Sequence, residues 1–463
     1  MGPAAGMTRA TPDRDVVPFR QAVRAWFAIS LQTFGGPAGQ IAVMQRHLVD
    51  ERRWIGQNRF LHALNYCMLL PGPEAQQLAI YVGWLLNGMR GGLVAGTLFV
   101  LPGMVALLAL SAVYVGFGDT TVVAALFAGL APAVVAIVAQ AVWRVGSRAL
   151  TNPVLIGFAV AAFLALAIFG LPFPVVIAVA AVTAWLVHRR WPQLVVGGNG
   201  NSKAADGPEP LIADDALHHD RPSARRAATV LIAGLLAWLL PVAVVAATTG
   251  VGSVYTQQGL FFSGTAVVTF GGAYAVLAFV AQRAVEHYAW LSAGDMIRGL
   301  ALAETTPGPL IMVVQFVAFL GAYHNPGPLD PWAAGVLASL LTTWVTFVPC
   351  FLFILLGAPY VERLRGNRSL SAALTGITAA VVGVIANLGL YFAVHTLFRE
   401  TTTVTTGPLN LQLPQPDTVR PVPIVIALIA ATLIFKVKWP VLRVLGVCAV
   451  LGLAAGLLGL PGI

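Results

Sequence analysis

Phe34-Gly35-Gly36 recurs as Phe270-Gly271-Gly272, and Pro71-Gly72-Pro73 recurs as Pro307-Gly308-Pro309, both displaced by 236 positions; Trp54 and Trp290 keep that spacing. The match runs from Thr33/Thr269 to Pro73/Pro309 without a gap, so the chain holds two copies of one design. In each copy the Gly and Pro clusters interrupt strongly apolar sequence. A helix broken inside hydrocarbon frees backbone N–H and C=O groups that cost several kcal/mol each unless protein, water or a ligand satisfies them. Paired breaks at corresponding places of two halves therefore point to discontinuous membrane helices around a transport site.

Composition supplies the membrane. With 58% hydrophobic and 10% charged residues and a mean hydropathy of +0.82 over 463 residues, the chain lacks the polar surface to coat a globule in water. Apolar runs of roughly 20 residues, long enough to cross the bilayer, recur throughout. They are continuous rather than alternating, which disfavours an outer-membrane barrel. The net charge of +9 is dispersed over short inter-helix segments, so it reads as a topology signal and not as a nucleic-acid face. Cys67, Cys350 and Cys448 lie far apart in apolar stretches with no CxxC pair, so no metal site and no cofactor is expected. Met1 to Pro18 carries no apolar region with a cleavage site, and the first membrane segment is expected to serve as the signal.

The first half (residues 19–188) reads as six segments. Phe19 to His47 is broken at Gly35-Gly36-Pro37 and Phe60 to Leu86 at Pro71-Gly72-Pro73; cleaner spans follow at Gly92 to Phe117, Thr121 to Trp143, Pro153 to Phe169 and Phe173 to His188. Residues 189–226 form a polar linker, with His218-His219 read as solvated, and residues 227–247 an extra span without a counterpart. The second half (residues 255–463) repeats the pattern. Its broken segments are Leu260 to Val285 and Asp295 to Ala322, and its spans Trp332 to Leu356, Ser371 to His395, Ile424 to Phe435 and Val441 to Leu460. The expected fold is an all-α polytopic membrane protein of about 13 segments. Six segments plus one deliver the second half upside down, so the repeats are expected to be inverted.

Arg144, Arg148, Arg189, Arg190, Arg225, Arg226, Arg363, Arg365 and Arg368 all fall on one side if the N-terminus is cytoplasmic. The loop holding Arg46, Arg52, Arg53 and Arg59 breaks that rule if segments one and two both cross. It obeys the rule if each broken segment dips in and returns.

A helix that restarts after a break presents free N–H groups and the positive end of its dipole, which is an anion site. Candidate substrate-binding residues are thus Phe34, Gly35, Gly36, Gln40, Pro71, Gly72, Pro73 and Gln76 in the first half, and Phe270, Gly271, Gly272, Thr305, Thr306, Pro307, Gly308 and Pro309 in the second. Ionisable residues inside apolar segments are functional candidates by default, which singles out Glu74 and Glu304 as proton carriers. Arg46, Arg52 and Arg53, beside Trp54, are candidates for drawing in an anion electrostatically. Nothing resembles a Walker loop, a catalytic triad or a metal cluster, and no enzymatic activity is expected.

The stretches Phe34-Gly-Gly-Pro-Ala-Gly-Gln-Ile-Ala-Val-Met, Glu51-Arg-Arg-Trp-Ile, Leu70-Pro-Gly-Pro-Glu-Ala-Gln-Gln-Leu-Ala-Ile-Tyr-Val-Gly and Phe99-Val-Leu-Pro-Gly resemble the chromate ion transporter (CHR) family. Thr269-Phe-Gly-Gly-Ala-Tyr and Glu304-Thr-Thr-Pro-Gly-Pro resemble its second-half motifs, and the layout is that of the long, two-domain members. The resemblance implies a multi-pass protein of the cytoplasmic (inner) membrane that exports chromate and confers chromate resistance. It further implies a drive from the proton gradient or from exchange with sulfate. The partners expected are chromate, sulfate, protons and the lipid bilayer, and a homodimer is compatible with such a chain. The residues themselves do not distinguish chromate from sulfate. The halves also differ: Ala273 stands where the first has Pro37, and Leu310 where the first has Glu74.

Overall fold

The structure, a computed structural model, describes residues 15–118, 120–194, 211–212, 223–270, 272–358, 368–406 and 409–460. Gly271, the His218-His219 pair, Arg363 and Arg365 lie outside these residues. The fold is helical and suited to a membrane. In order the helices are α1 (Phe19–Ser30), α2 (Gly36–Gln45), α3 (Gln57–Cys67), α4 (Glu74–Phe117), α5 (Thr121–Ala149), α6 (Pro153–Ala167) and α7 (Phe173–Arg190). After the linker come α8 (Ala224–Thr249), α9 (Val254–Val268), α10 (Ala273–Gln282), α11 (Ala293–Thr305), α12 (Val313–His324), α13 (Pro331–Gly357) and α14 (Arg368–Leu397). The last are α15 (Pro421–Phe435) and α16 (Val441–Leu457). Among the described residues six helices, α4, α5, α7, α8, α13 and α14, are long and apolar enough to span a bilayer.

Both breaks expected in each half are present. α1 gives way to α2 across residues 31–35, and α3 to α4 across Met68–Pro73; α9 yields to α10 at Thr269–Gly272, and α11 to α12 across Thr306–Met312. α4 is itself two arms. Asn87 and Gly88 leave the helical region, with Gly88 at φ +59°, and Gly83 then faces the carbonyl of Gly91. The chain thus reverses at Gly88, where a left-handed residue is needed.

Five starts away from the breaks are capped by short polar side chains, whereas α1, α3, α5, α7, α15 and α16 have no side-chain cap. Asn152 accepts from the Leu155 N–H, Ser223 from Arg226, Ser253 from Thr256 and Asp330 from Trp332 and Ala333, while Ser292 and Asp295 form a capping box on α11. The starts of α2, α4 and α10, at the breaks, likewise have no side-chain cap, and unlike the others they begin at interruptions of the apolar segments.

Helices of the two halves interleave. α14 packs on α5, α6 and α7, α15 and α16 pack on α5, and α13 packs on α4, α8 and α9. At the crossing of α5 and α16 a Cβ on Gly129 would sit 2.0 Å from the Cys448 carbonyl oxygen. Gly129→Val is therefore expected to force these helices apart at a cost of about 1–3 kcal/mol or more. The check is a lower melting temperature in detergent, and an unchanged one would show the crossing to be pliable.

One element is absent from the sequence reading. Between α14 and α15 a hairpin pairs β1 (Thr401–Thr406) with β2 (Leu409–Pro414), antiparallel, with Thr401 opposite Pro414. Its Thr-rich strand favours extended backbone, and it lies beyond the apolar spans, so it leaves the helical character of the membrane part intact.

Candidate functional site

The four breaks meet crosswise. The Gly308 N–H donates to the Thr33 carbonyl at 2.9 Å, and the Gly72 N–H donates to the Thr269 carbonyl at 2.8 Å. Because Gly72 corresponds to Gly308 and Thr33 to Thr269, these are one hydrogen bond made twice, from each copy to the other. Each satisfies backbone groups that the broken helices leave free. Gln40 adds a third tie, its Nε2 donating to the Gly308 carbonyl at 2.6 Å. Within the first copy Gln77 Nε2 donates to the Pro71 carbonyl at 2.6 Å and closes the turn that precedes α4.

The glycines at these breaks hold left-handed backbone: φ is +80° at Gly35, +74° at Gly36, +123° at Gly72 and +99° at both Gly272 and Gly308. Their surroundings differ. A Cβ at Gly35, Gly36 or Gly272 would meet nothing within 4 Å, whereas at Gly72 it would strike Gln77 Nε2 and Cys350 Sγ. The open side of the Phe-Gly-Gly breaks leaves room beside the uncapped starts of α2 and α10. The tight Pro-Gly-Pro breaks are backed by neighbouring spans, Cys350 of α13 behind Gly72 and Phe99 and Gly103 of α4 behind Gly308.

Polar side chains follow the same asymmetry. Gln76, in the first turn of α4, is fully buried, and neither its Nε2 nor its Oε1 has a partner among the described residues. A buried amide left bare in this way is paired when a ligand or water is bound. Glu74, at the start of the same helix, is half-buried and forms no hydrogen bond or ion pair among the described residues. Glu304, at 2% exposure, accepts from the Tyr274 hydroxyl at 2.5 Å. The hydroxyls of Thr305 and Thr306 donate back to the carbonyls of Leu302 and Ala303, so each would have to turn from its carbonyl before it could donate to an anion. Phe34 and Phe270 are half-buried beside their glycines, and Pro71, Pro73, Pro307 and Pro309 frame the tight turns.

The arginines lie beyond the end of α2, in the π-helical turn Arg46–Glu51 and the residues after it, and Arg46 reaches back to Gln32 of the first break. Arg46 donates to Gln32 Oε1 at 3.0 Å and lies 3.6 Å from Glu51; Arg52 contacts His47 Nδ1 at 2.9 Å and sits 5.6 Å above the Trp54 ring. Arg53 is exposed, at φ +52°. Arg46 and Arg52 thus already share Glu51, which lies 3.7 Å from Arg52. Their pull on an anion is partly neutralised, a partner the sequence reading overlooked. It also missed Tyr274, whose counterpart in the first copy is Ala38; comparing the two copies for unmatched polar residues would have exposed it. A separate cavity of about 110 Å³ is lined by Gln282, Glu286, Asn387 and Tyr391 and by no residue of the breaks. Among the described residues no His, Cys, Asp and Glu cluster could hold a metal.

The model of the family described as chromate transporter matches residues 20–185 and 256–453, that is, both copies without the linker and the extra span. A chromate transport protein of Pseudomonas aeruginosa is 33% identical over 387 residues, 82% of this chain and 81% of its own. One from Cupriavidus metallidurans is 28% identical over 383 residues, 82% of this chain and 84% of its own. The uncharacterized transporter YwrB of Bacillus subtilis is 27% identical over 133 residues, which cover 29% of this chain but 68% of YwrB. No solved structure matches.

Proposed function

The chain belongs to the chromate transporter family, and from that premise we propose that it is a secondary transporter exporting chromate across the cytoplasmic (inner) membrane, with chromate resistance as the result. The observation that carries the reading is the crosswise pair of backbone hydrogen bonds, Gly72 to Thr269 and Gly308 to Thr33. It ties together helix starts that have no cap, and α4 adds a bare buried Gln76. Free N–H groups at a helix start suit a tetrahedral oxyanion without a metal. An inside-negative potential of about 100 mV favours outward movement of a dianion by about 4.6 kcal/mol, so export needs no nucleotide. Glu74 and Glu304 are the proposed proton carriers, and exchange with sulfate is the other drive; sulfate is also the alternative cargo. The site comprises the residues named above at the four breaks, with Arg46, Arg52 and Arg53 at its approach.

Two inverted repeats, 19–188 and 255–463, joined by the linker and the added span, fit this function. One bond made in both directions between equivalent residues is what a two-fold axis between the copies requires. Asn87, at the reversal, donates to the Val17 carbonyl, so the start of α1 and the end of the first arm of α4 share one side. The second arm of α4, then α5, α6, α7 and α8, makes five crossings, which sets α9 off from the opposite side. Re-entry is supported by Gly56 and Ile212, bonded at 3.1 Å across loop and linker, and by Gln412 of the hairpin reaching Glu286 at 3.3 Å. Asp50→Cys, at an exposed position of the same segment, is accordingly expected to react with an impermeant thiol reagent from the cytoplasmic side and His287→Cys from the outer side. Labelling of both from one side would refute the inversion.

The transport reading is tested in everted membrane vesicles. Energised vesicles are expected to accumulate labelled chromate, with unlabelled sulfate competing. Conductance without accumulation would identify an anion channel instead.

A further inference from the structure

The centre of the molecule is symmetric, but its surroundings are not. In each copy the two breaks enclose a pair of short helices, α2 and α3 between residues 31–35 and 68–73, and α10 and α11 between residues 269–272 and 306–312. Each pair is thus joined to the rest of the chain only through Gly- and Pro-containing hinges. Beside the pairs stand α5 and α14, which pack on each other. These two are equivalents as well, Gly129 matching Gly376 and Gln140 matching Asn387 at an offset of 247. Two copies in one arrangement would set both pairs alike on α5 and α14.

The two pairs are placed differently. α10 packs on α14 and α11 on both α5 and α14, whereas neither α2 nor α3 has comparable packing on either helix. Burial agrees position by position. Leu277, Leu300 and Ala301 are fully buried, while their counterparts Ile41 and Leu64 are half-buried and Asn65 is exposed. Glu304 is 2% exposed and its counterpart Met68 45%. The first pair therefore stands off the surface that the second pair covers. An amide left exposed on a broken membrane segment, as Asn65 is, is stable beside water and costly beside lipid. On the other side only a small cavity, the one of about 110 Å³, remains between α10 and α14, lined in part by Gln282, Asn387 and Tyr391. Glu286, which also lines it, is tied to Gln412 of the β-hairpin at 3.3 Å.

We propose that the cleft between the α2 and α3 pair and the helices α5 and α14 is the cytoplasmic entrance for the transported oxyanion, and that the closed cavity between α10 and α14 is its outer exit. The inference rests on the transport reading above and deepens it. The two helix pairs take turns on α5 and α14: in the exchanged arrangement α2 packs on α5 as α10 now packs on α14, and α10 withdraws to open the exit. The crosswise bonds of Gly72 and Gly308 stay in both arrangements, because each copy makes the same one. Gly35, Gly36 and Gly272, where an added Cβ meets nothing within 4 Å, leave the hinges room to turn. Entrance and exit are then never open together, as alternating access between two inverted repeats requires.

The test is cross-linking in membranes with a short bifunctional thiosulfonate, which dithiothreitol reverses. Ala281→Cys/Asn387→Cys places thiols on the two walls of the closed cavity, and Gln45→Cys/Gln140→Cys is the equivalent pair in the first copy. The cavity pair is expected to join in the absence of any anion, and the first-copy pair only while sulfate exchanges for chromate. Either link should cut flux to background, and reduction should restore it. Flux of the reduced variant controls for folding, and Ala278→Cys/Val384→Cys, on the same cavity, takes over if the cavity pair is inactive when reduced. This inference alone is overturned if the cavity pair fails to join, if the first-copy pair joins equally at rest or never joins during exchange, or if a joined protein keeps native flux. A native chain that moves neither chromate nor sulfate overturns the transport reading and this inference with it.

Discussion

Gly72→Val and Gly308→Val are each expected to reduce anion flux to background while the protein still reaches the membrane. Gly72 sits at φ +123° and Gly308 at +99°, where a β-branched residue is a severe outlier. The strain is about 1–3 kcal/mol at either site. At Gly72 a Cβ would also lie 2.8 Å from Gln77 Nε2 and 2.9 Å from Cys350 Sγ, so both side chains would have to turn aside. Gln77 and Cys350 can turn their side-chain ends aside, Gln77 at the loss of its bond to the Pro71 carbonyl, but the left-handed φ is relieved only by moving the backbone, which pulls the Gly72 N–H from the Thr269 carbonyl or the Gly308 N–H from the Thr33 carbonyl and uncouples the two copies. Gly157→Val is the control, since a Cβ there meets nothing within 4 Å on the exposed face of α6, and native flux is expected. Flux is measured in vesicles normalised to protein level. Native flux through Gly72→Val would mean that the crosswise bonds are incidental.

Much of the frame was legible in the sequence for a physical reason. Apolar runs and Gly/Pro interruptions are local signals, and hydrocarbon allows only helices or closed barrels, so α5, α7, α8, α13 and α14 emerge near their expected bounds. Duplication added what local signals lack, since the offset of 236 marked Gly72 and Gly308, and Thr33 and Thr269, as equivalents before any contact was known. The hydrogen bonds that join them were not legible, because they link backbone atoms more than two hundred residues apart and leave no mark in side-chain chemistry. For the same reason the unpaired state of Gln76 among the described residues and the bond from Tyr274 to Glu304 could not be read; both depend on how the helices pack. The β1–β2 hairpin was hidden differently, as a short polar stretch between spans where hydropathy carries no information. Glu51 was visible all along, yet its pairing with Arg46 and Arg52 depends on the tight π-helical turn at Arg46–Glu51.

Glu304→Gln is expected to lower gradient-driven uptake at least about tenfold, the scale of losing a positioned proton carrier. The amide is an isostere of the protonated acid and keeps an oxygen for the Tyr274 hydroxyl, so packing at this buried position is preserved while the proton cycle is not. Exchange of external sulfate for internal chromate should survive, because it needs only the form of the site that the amide imitates. Glu74 provides the comparison. It has no hydrogen bond or ion pair among the described residues and stands at the uncapped start of α4, where an ionised carboxylate repels an arriving dianion. Glu74→Gln is thus expected to weaken the response to a pH gradient while lowering KM for the anion. If gradient-driven uptake and exchange fall together in Glu304→Gln, Glu304 serves the fold or the binding step and not the proton. If neither changes in either variant, the protons are carried elsewhere and transport runs on the membrane potential or on sulfate exchange alone.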